Sequence, residues 1–259
     1  MQKDEIIEEY ISGQKSVALV INKDYGKCIK KTKNENTSTI RMSREVEIQK
    51  NFDFKYYPKI YFSEVNGQNI LIYEEYIEGR DLLDYQKEGT VYKNNENKCL
   101  NLLKELIIGL KFIWDKNIVH RDLKHNNIRM RTDADPVILD LGLAKILEPG
   151  QNITLQMGYT EGYAPIEQIL NNINQIDKRT DFFSLGVIIY ELFFGERLFS
   201  TNDDIINKMP VFTKEGYNNS DKLNNILTRL LEKQIYNRYR KAEDILKDID
   251  DALEKEEKR

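Results

Sequence analysis

The chain has 259 residues, 40% apolar and 10% aromatic, enough to bury a core, and its 32% of charged residues leaves it within the range of folded proteins. Its 39 Lys and Arg against 43 Asp and Glu give a formal charge of −4, without the basic excess that a general nucleic-acid binder uses to displace phosphate counterions. Two cysteines, Cys28 and Cys99, supply neither a disulfide framework nor a paired metal-ligand spacing, and a reducing cytoplasm is expected.

In chain order, the acidic start at residues 1–10 does not read as a signal peptide. Residues 16–75 are mainly strand-like: Val17-Ala-Leu-Val-Ile21, a polar turn Asn22-Lys-Asp-Tyr-Gly26, Cys28-Ile-Lys30 and, later, Asn69-Ile-Leu-Ile-Tyr73. Between them, residues 41–51 place Val46 and Ile48 among charges at a helical spacing, which predicts one helix against a small antiparallel sheet. After Gly79 the period changes: Leu100, Leu103, Ile107, Leu110 and Trp114 form an apolar stripe over about four helical turns. Residues 182–194, with Asp181 as their expected cap, are apolar on all sides and predict a buried helix. That run is interrupted by Ser184, Gly186 and Glu191 and falls short of the roughly 20 residues of a membrane span, so no membrane passage is expected. Leu223, Ile226, Leu227 and Leu230, then Ala242, Ile245, Leu246, Ile249 and Leu253, predict two amphipathic helices. The expectation is an α+β chain with a strand-rich lobe over residues 1–78, a helical lobe over 79–259, and a ligand cleft between lobes of this kind.

The densest chemistry lies in His120-Arg-Asp-Leu-Lys-His-Asn-Asn127 and Ile138-Leu-Asp-Leu-Gly142. Two acids and an Asn on short loops suit a metal-bound polyphosphate, because hard cations take oxygen ligands. These motifs resemble those of the eukaryotic-type (Hanks-type) Ser/Thr protein kinase family, and the resemblance extends over nearly the whole chain.

That resemblance implies a bilobal protein-kinase-like fold using ATP and Mg2+, with Asp122 accepting the substrate hydroxyl proton, Lys124 stabilising the γ-phosphate, and Asn127 and Asp140 holding metal. It places the phosphate-touching lysine at Lys30, preferred over the adjacent Lys31, and its partner acid at Glu45, preferred over Glu47. The glycine-rich phosphate loop would end at Val17, but its glycine positions fall on Tyr10, Ser12 and Lys15 with only Gly13 nearby; Lys15 would supply charge in compensation. In Tyr73-Glu-Glu-Tyr-Ile-Glu-Gly79, backbone groups of Glu75 and Ile77 would bond adenine and Asp81 would reach the ribose. Glu74 departs from the apolar residue usual there, and a charge at that position needs a partner or water. Glu167 would pair with Arg238, Asp181 would anchor the catalytic loop, and His120 reads as a packing residue.

Through Lys124 and Thr160 the resemblance implies serine and threonine hydroxyls of protein substrates, with autophosphorylation, in what is expected to be a cytoplasmic enzyme that binds neither nucleic acid nor membrane. Arg121 beside Asp122 suggests control by a phosphate on Thr154. The chain reads as little more than a catalytic unit, so either a separate regulatory chain or ligand would supply its signal or the enzyme would be constitutively active. The alternatives are a pseudokinase binding module, a kinase acting on small alcohols, and a purely structural interaction protein in which these spacings would be coincidence.

Overall fold

The computed structural model describes residues 4–10, 15–33, 39–67, 69–147 and 158–254. By its internal contacts the chain divides into two compact units, Met1–Glu78 with Val137–Ala144, and Gly79–Pro136 with Lys145–Arg259. The stretch 137–144, read in the sequence with the helical remainder, groups with the strand-rich unit.

The first unit is built on an antiparallel sheet of β1 (Glu5–Tyr10), β2 (Lys15–Asn22), β3 (Gly26–Lys33), β4 (Ile60–Asn66) and β5 (Asn69–Glu75), in the order β1-β2-β3-β5-β4. The β2–β3 turn closes because Asn22 Oδ1 accepts the N–H of Asp24 at 2.8 Å and that of Tyr25 at 3.2 Å, with Gly26 at φ 67°. The sequence reading located β2, β3 and β5 and passed over β1 and β4. Those two are the edges of the sheet and largely exposed, so their side chains carry little of the alternation that marks a half-buried strand.

Register decides which residues share a face. Val17 stands opposite Lys31, which stands opposite Ile72; Ala18 stands opposite Lys30, which stands opposite Tyr73. Helix α1 (Thr39–Gln49) packs Met42 and Val46 against Ile70 and Ile72, whereas Val20, Cys28 and Tyr73 cluster on the other face. Neighbours in a strand point to opposite faces, so Lys31 shares the α1 face and Lys30 does not.

The second unit carries α2 (Leu82–Glu88), α3 (Glu96–Trp114), α4 (Ile166–Ile169), α5 (Lys178–Phe194), α6 (Asn202–Asn207), α7 (Asp221–Leu230) and α8 (Ala242–Leu253). Helix α5 is buried at every position from Thr180 to Phe194, as an all-round apolar helix must be, and packs against α3 and α7. Its cap is Asp177, whose side chain accepts the Arg179 N–H at 2.8 Å. The expected cap, Asp181, instead lies in the first turn, because the polar residues Lys178 to Thr180 also take helical form and move the terminus upstream.

Close approaches fix two glycines of this unit. A Cβ on Gly79, at φ 134°, would stand 2.0 Å from the Met130 carbonyl oxygen; one on Gly186 would meet Leu230 Cβ at 2.9 Å, where α5 crosses α7. Among the described residues, no helix is long and apolar enough to cross a membrane.

Candidate active site

In the first unit, five charged side chains from β2, β3, α1, β5 and the stretch 137–144 converge. Lys31 Nζ lies 2.6 Å from Glu45 Oε1 and 2.6 Å from Glu74 Oε1, while Lys15 Nζ lies 2.8 Å from Glu45 Oε2 and 3.3 Å from Asp140 Oδ1. Burial would lower the Lys31 ammonium pKa, but Glu45, Glu74 and Asp140 outweigh it and hold that value up; Lys15 is held up the same way by Asp140 and Glu45. Burial would raise the carboxyls of Glu45 and Asp140, and the two lysines outweigh it and hold both down. Glu74 goes the other way, raised by burial, and its Oε2 has no hydrogen-bond partner among the described residues.

The ion pair of β3 with α1 therefore uses Lys31, and the expectation of Lys30 is corrected. Lys30 Nζ turns to the opposite face and meets Asp4 at 2.6 Å, beside the Tyr73 hydroxyl that also donates to Asp4 at 2.7 Å. Alternation does put one of the two lysines on the α1 face, but their spacing alone does not say which face α1 covers. The expected acid Glu45 is buried in the pair, and Glu47 is exposed. Glu74, unexplained in the sequence, is the second partner of Lys31. Val17 lies across from Lys31, and Glu75 donates its N–H to the Lys59 carbonyl at 2.8 Å. Ile77 is buried. Gly13 and Thr154 lie outside the described residues.

In the second unit, Asp122 is held by its own loop. Asn127 Nδ2 donates to the Asp122 carbonyl at 2.8 Å and to Oδ2 at 3.0 Å. The Thr160 hydroxyl donates to Asp122 Oδ1 at 2.6 Å and accepts from Lys124 Nζ at 2.8 Å, and Lys124 lies 3.1 Å from Asp122 Oδ2. Asp181 anchors this loop from α5: Oδ2 accepts from Trp114 Nε1 at 2.8 Å and His120 N at 2.9 Å, and Oδ1 accepts from Arg121 N at 2.9 Å. His120 is fully buried, and its Nδ1 accepts the Asp122 N–H at 3.3 Å, a packing and hydrogen-bonding role. Asp81 is engaged by Arg129 at 2.9 Å.

Gln168 and the His125–Tyr163–Glu191 chain escaped the sequence reading. Gln168 Nε2 donates to the Arg121 carbonyl at 2.8 Å and ties α4 to the loop. His125 Nδ1 lies 3.0 Å from the Tyr163 hydroxyl, which donates to Glu191 Oε2 at 3.2 Å, a buried chain with no short-range sequence signal. The expected Glu167–Arg238 pair is present at 2.7 Å and 3.0 Å, nearly free of solvent.

The donors suit a hard cation. The Asn127 amide donates to Asp122 through Nδ2, which leaves Oδ1 as its acceptor, and Asp140 is an ionised carboxylate with a 37% exposed side chain. Among the described residues no three His, Cys, Asp or Glu form a ready metal cage. A divalent cation whose shell is completed by water and phosphate oxygens needs only one or two protein oxygens, and so no such cage.

A strand-rich unit with a buried Lys–Glu pair, and a helical unit with an Asp–Asn loop anchored by a buried aspartate, define the α+β, bilobal protein-kinase class. A family model described as the protein kinase domain matches residues 15–249, and the chain belongs to that family. It is similar to the serine/threonine-protein kinase cds1 of Schizosaccharomyces pombe, at 30% identity over 70% of this chain and 39% of that one. It is also similar to the meiosis-specific serine/threonine-protein kinase mek1 of the same organism, at 30% over 58% of this chain and 36% of the relative. A third similar chain is the serine/threonine-protein kinase atg1 of Dictyostelium discoideum, at 34% over 56% and 22%. The chain thus spans well under half the length of these relatives.

Proposed function

We propose that the chain is an ATP-dependent protein kinase that transfers the γ-phosphoryl group to serine and threonine hydroxyls of protein substrates, itself included. The observation that carries this reading is the Thr160 hydroxyl, seated on Asp122 Oδ1 at 2.6 Å with Lys124 Nζ on the same hydroxyl oxygen at 2.8 Å. An alcohol positioned to give its proton to a carboxylate, with an ammonium at its oxygen, is the arrangement that proton transfer from an attacking hydroxyl requires.

In this reading Asp122 takes the substrate hydroxyl proton and Lys124 offsets charge on the transferred group. Asn127 Oδ1 is a metal ligand of the second unit and Asp140 one of the first. Magnesium, when bound, would neutralise charge on the phosphate oxygens. Glu45 orients Lys15 and Lys31, Val17 and Ile77 border adenosine, Glu75 and Ile77 offer backbone groups to the base, and Asp81 approaches the ribose through its Arg129-held carboxylate. The free, buried thiols of Cys28 and Cys99 suit a reducing cytoplasm.

The pseudokinase alternative draws support from Lys15, which lies against the Asp140 carboxylate that a metal would use. Incubation with radiolabelled ATP, Mg2+ and a generic protein substrate separates the two. Label on serine and threonine is expected, with a loss of at least about a thousandfold in Asp122→Asn. Equal label in wild type and Asp122→Asn, or none in either, would remove the kinase reading.

A further inference from the structure

Lys31 is doubly ion-paired before any nucleotide arrives. Its ammonium makes two 2.6 Å contacts to Glu45 and Glu74, whose side chains are 1% and 5% exposed. A phosphate drawing Lys31 away would weaken the pairing of two carboxylates in the interior, and Glu74 Oε2 already lacks a hydrogen-bond partner among the described residues. Lys15 differs. It shares Glu45 through the other carboxylate oxygen, and its second contact, at 3.3 Å, is to Asp140, the most exposed carboxylate of the cluster. Lys15 and Lys31 lie on the same sheet face, since Lys15 stands opposite Lys33 and Val17 opposite Lys31.

On the kinase reading above, we propose that Lys15 is the lysine that contacts the nucleotide's phosphates, and that Glu74 brings this about by holding Lys31 as a structural cation. Lys15 is then a binding residue at a position where the phosphate loop would have glycine, and Glu74 is a positioning residue that acts through Lys31. Glu45 serves both lysines, one on each carboxylate oxygen.

The test needs no turnover. An adenosine ester carrying a benzenesulfonyl fluoride at the phosphate end is captured by a nearby amine, which displaces fluoride, and peptide mapping identifies the modified lysine. The expected adduct is on Lys15 in the wild type. Glu74→Leu, or Glu74→Gln should the leucine variant fold poorly, releases Lys31 and should move a large share of the adduct to it. Lys15→Ala should weaken equilibrium binding of a fluorescent ATP analogue by about tenfold or more, a loss of about 1.4 kcal/mol, without a change of melting temperature that would account for it. An adduct confined to Lys31 in wild type, or unchanged affinity in Lys15→Ala, overturns the role of Lys15 and leaves the kinase reading standing. Failure of the wild type to bind any adenosine nucleotide overturns the kinase reading itself.

Discussion

At the scale of single residues, two adjacent lysines show how far burial changes what a charge is worth. Lys30 is one-third exposed and pairs with Asp4, whereas Lys31 is enclosed by Glu45 and Glu74. Truncating Lys30 to Met should cost roughly 1 kcal/mol or less, as a partly solvated pair does. Lys31→Met leaves two buried carboxylates facing each other and should cost about 3–5 kcal/mol. Urea denaturation of the two variants checks the contrast; equal losses would mean that the buried cluster is not the structural unit described. The residue types of this cluster were all legible in the sequence, and so was the alternation that separates Lys30 from Lys31. What was not legible was the face that α1 covers, because it follows from the pairing of β3 with β5 and the packing of Met42 and Val46 onto Ile70 and Ile72. The partner of Glu74 was hidden for the same reason: Lys31 and Glu74 lie 43 positions apart in the chain and meet only through the sheet.

Elements inherit their ends and crossings from such local contacts. Asp177 rather than Asp181 caps α5, so Asp177→Ala should destabilise the protein by about 1 kcal/mol through loss of that cap. Asp181 serves instead as the acceptor for three N–H groups, two from the loop that carries Asp122 and one from the α3 tryptophan. The α5–α7 crossing depends on Gly186, where an added Cβ would stand 2.9 Å from Leu230 Cβ and 3.0 Å from Leu231. Gly186→Ala should therefore cost about 1–3 kcal/mol by overpacking, although alanine is the better helix former. A thermal melt of both variants distinguishes these effects; a Gly186→Ala protein more stable than wild type would show that α7 can yield at no cost. The long apolar periodicities of α3, α5, α7 and α8 were readable because each buries a face against its neighbours. Edge strands β1 and β4 were not, because their exposed residues are chosen for solvent rather than for a core.

For the molecule as a whole, pH acts on unfolding through Glu191, whose carboxyl burial pushes up to about 6 despite its bonds from Leu198 N and the Tyr163 hydroxyl. A raised carboxyl keeps its proton in the folded state after the unfolded chain has lost it. Folded protein thus binds more protons between about 4.5 and 6, and this group's contribution to stability falls as pH rises through that window. The loss is at most about 2 kcal/mol, and Glu191→Gln removes it. Denaturant titrations at pH 4.5 and pH 7 should show the Gln variant gaining on wild type at the higher pH; a constant difference between the two would contradict this.

The sequence by itself determined the class of this protein. The Asp122–Asn127 spacing, Asp140, the Glu167 and Arg238 partners and the change from strand to helix periodicity are carried by residue type and short intervals, which survive in one dimension. Tertiary structure alone decided which lysine meets Glu45, why Glu74 is tolerated, how Thr160 comes to sit on Asp122, and that Lys15 reaches Asp140. Each of these joins residues 14 or more positions apart, and tertiary packing, rather than local propensity, brings such residues within reach of one another.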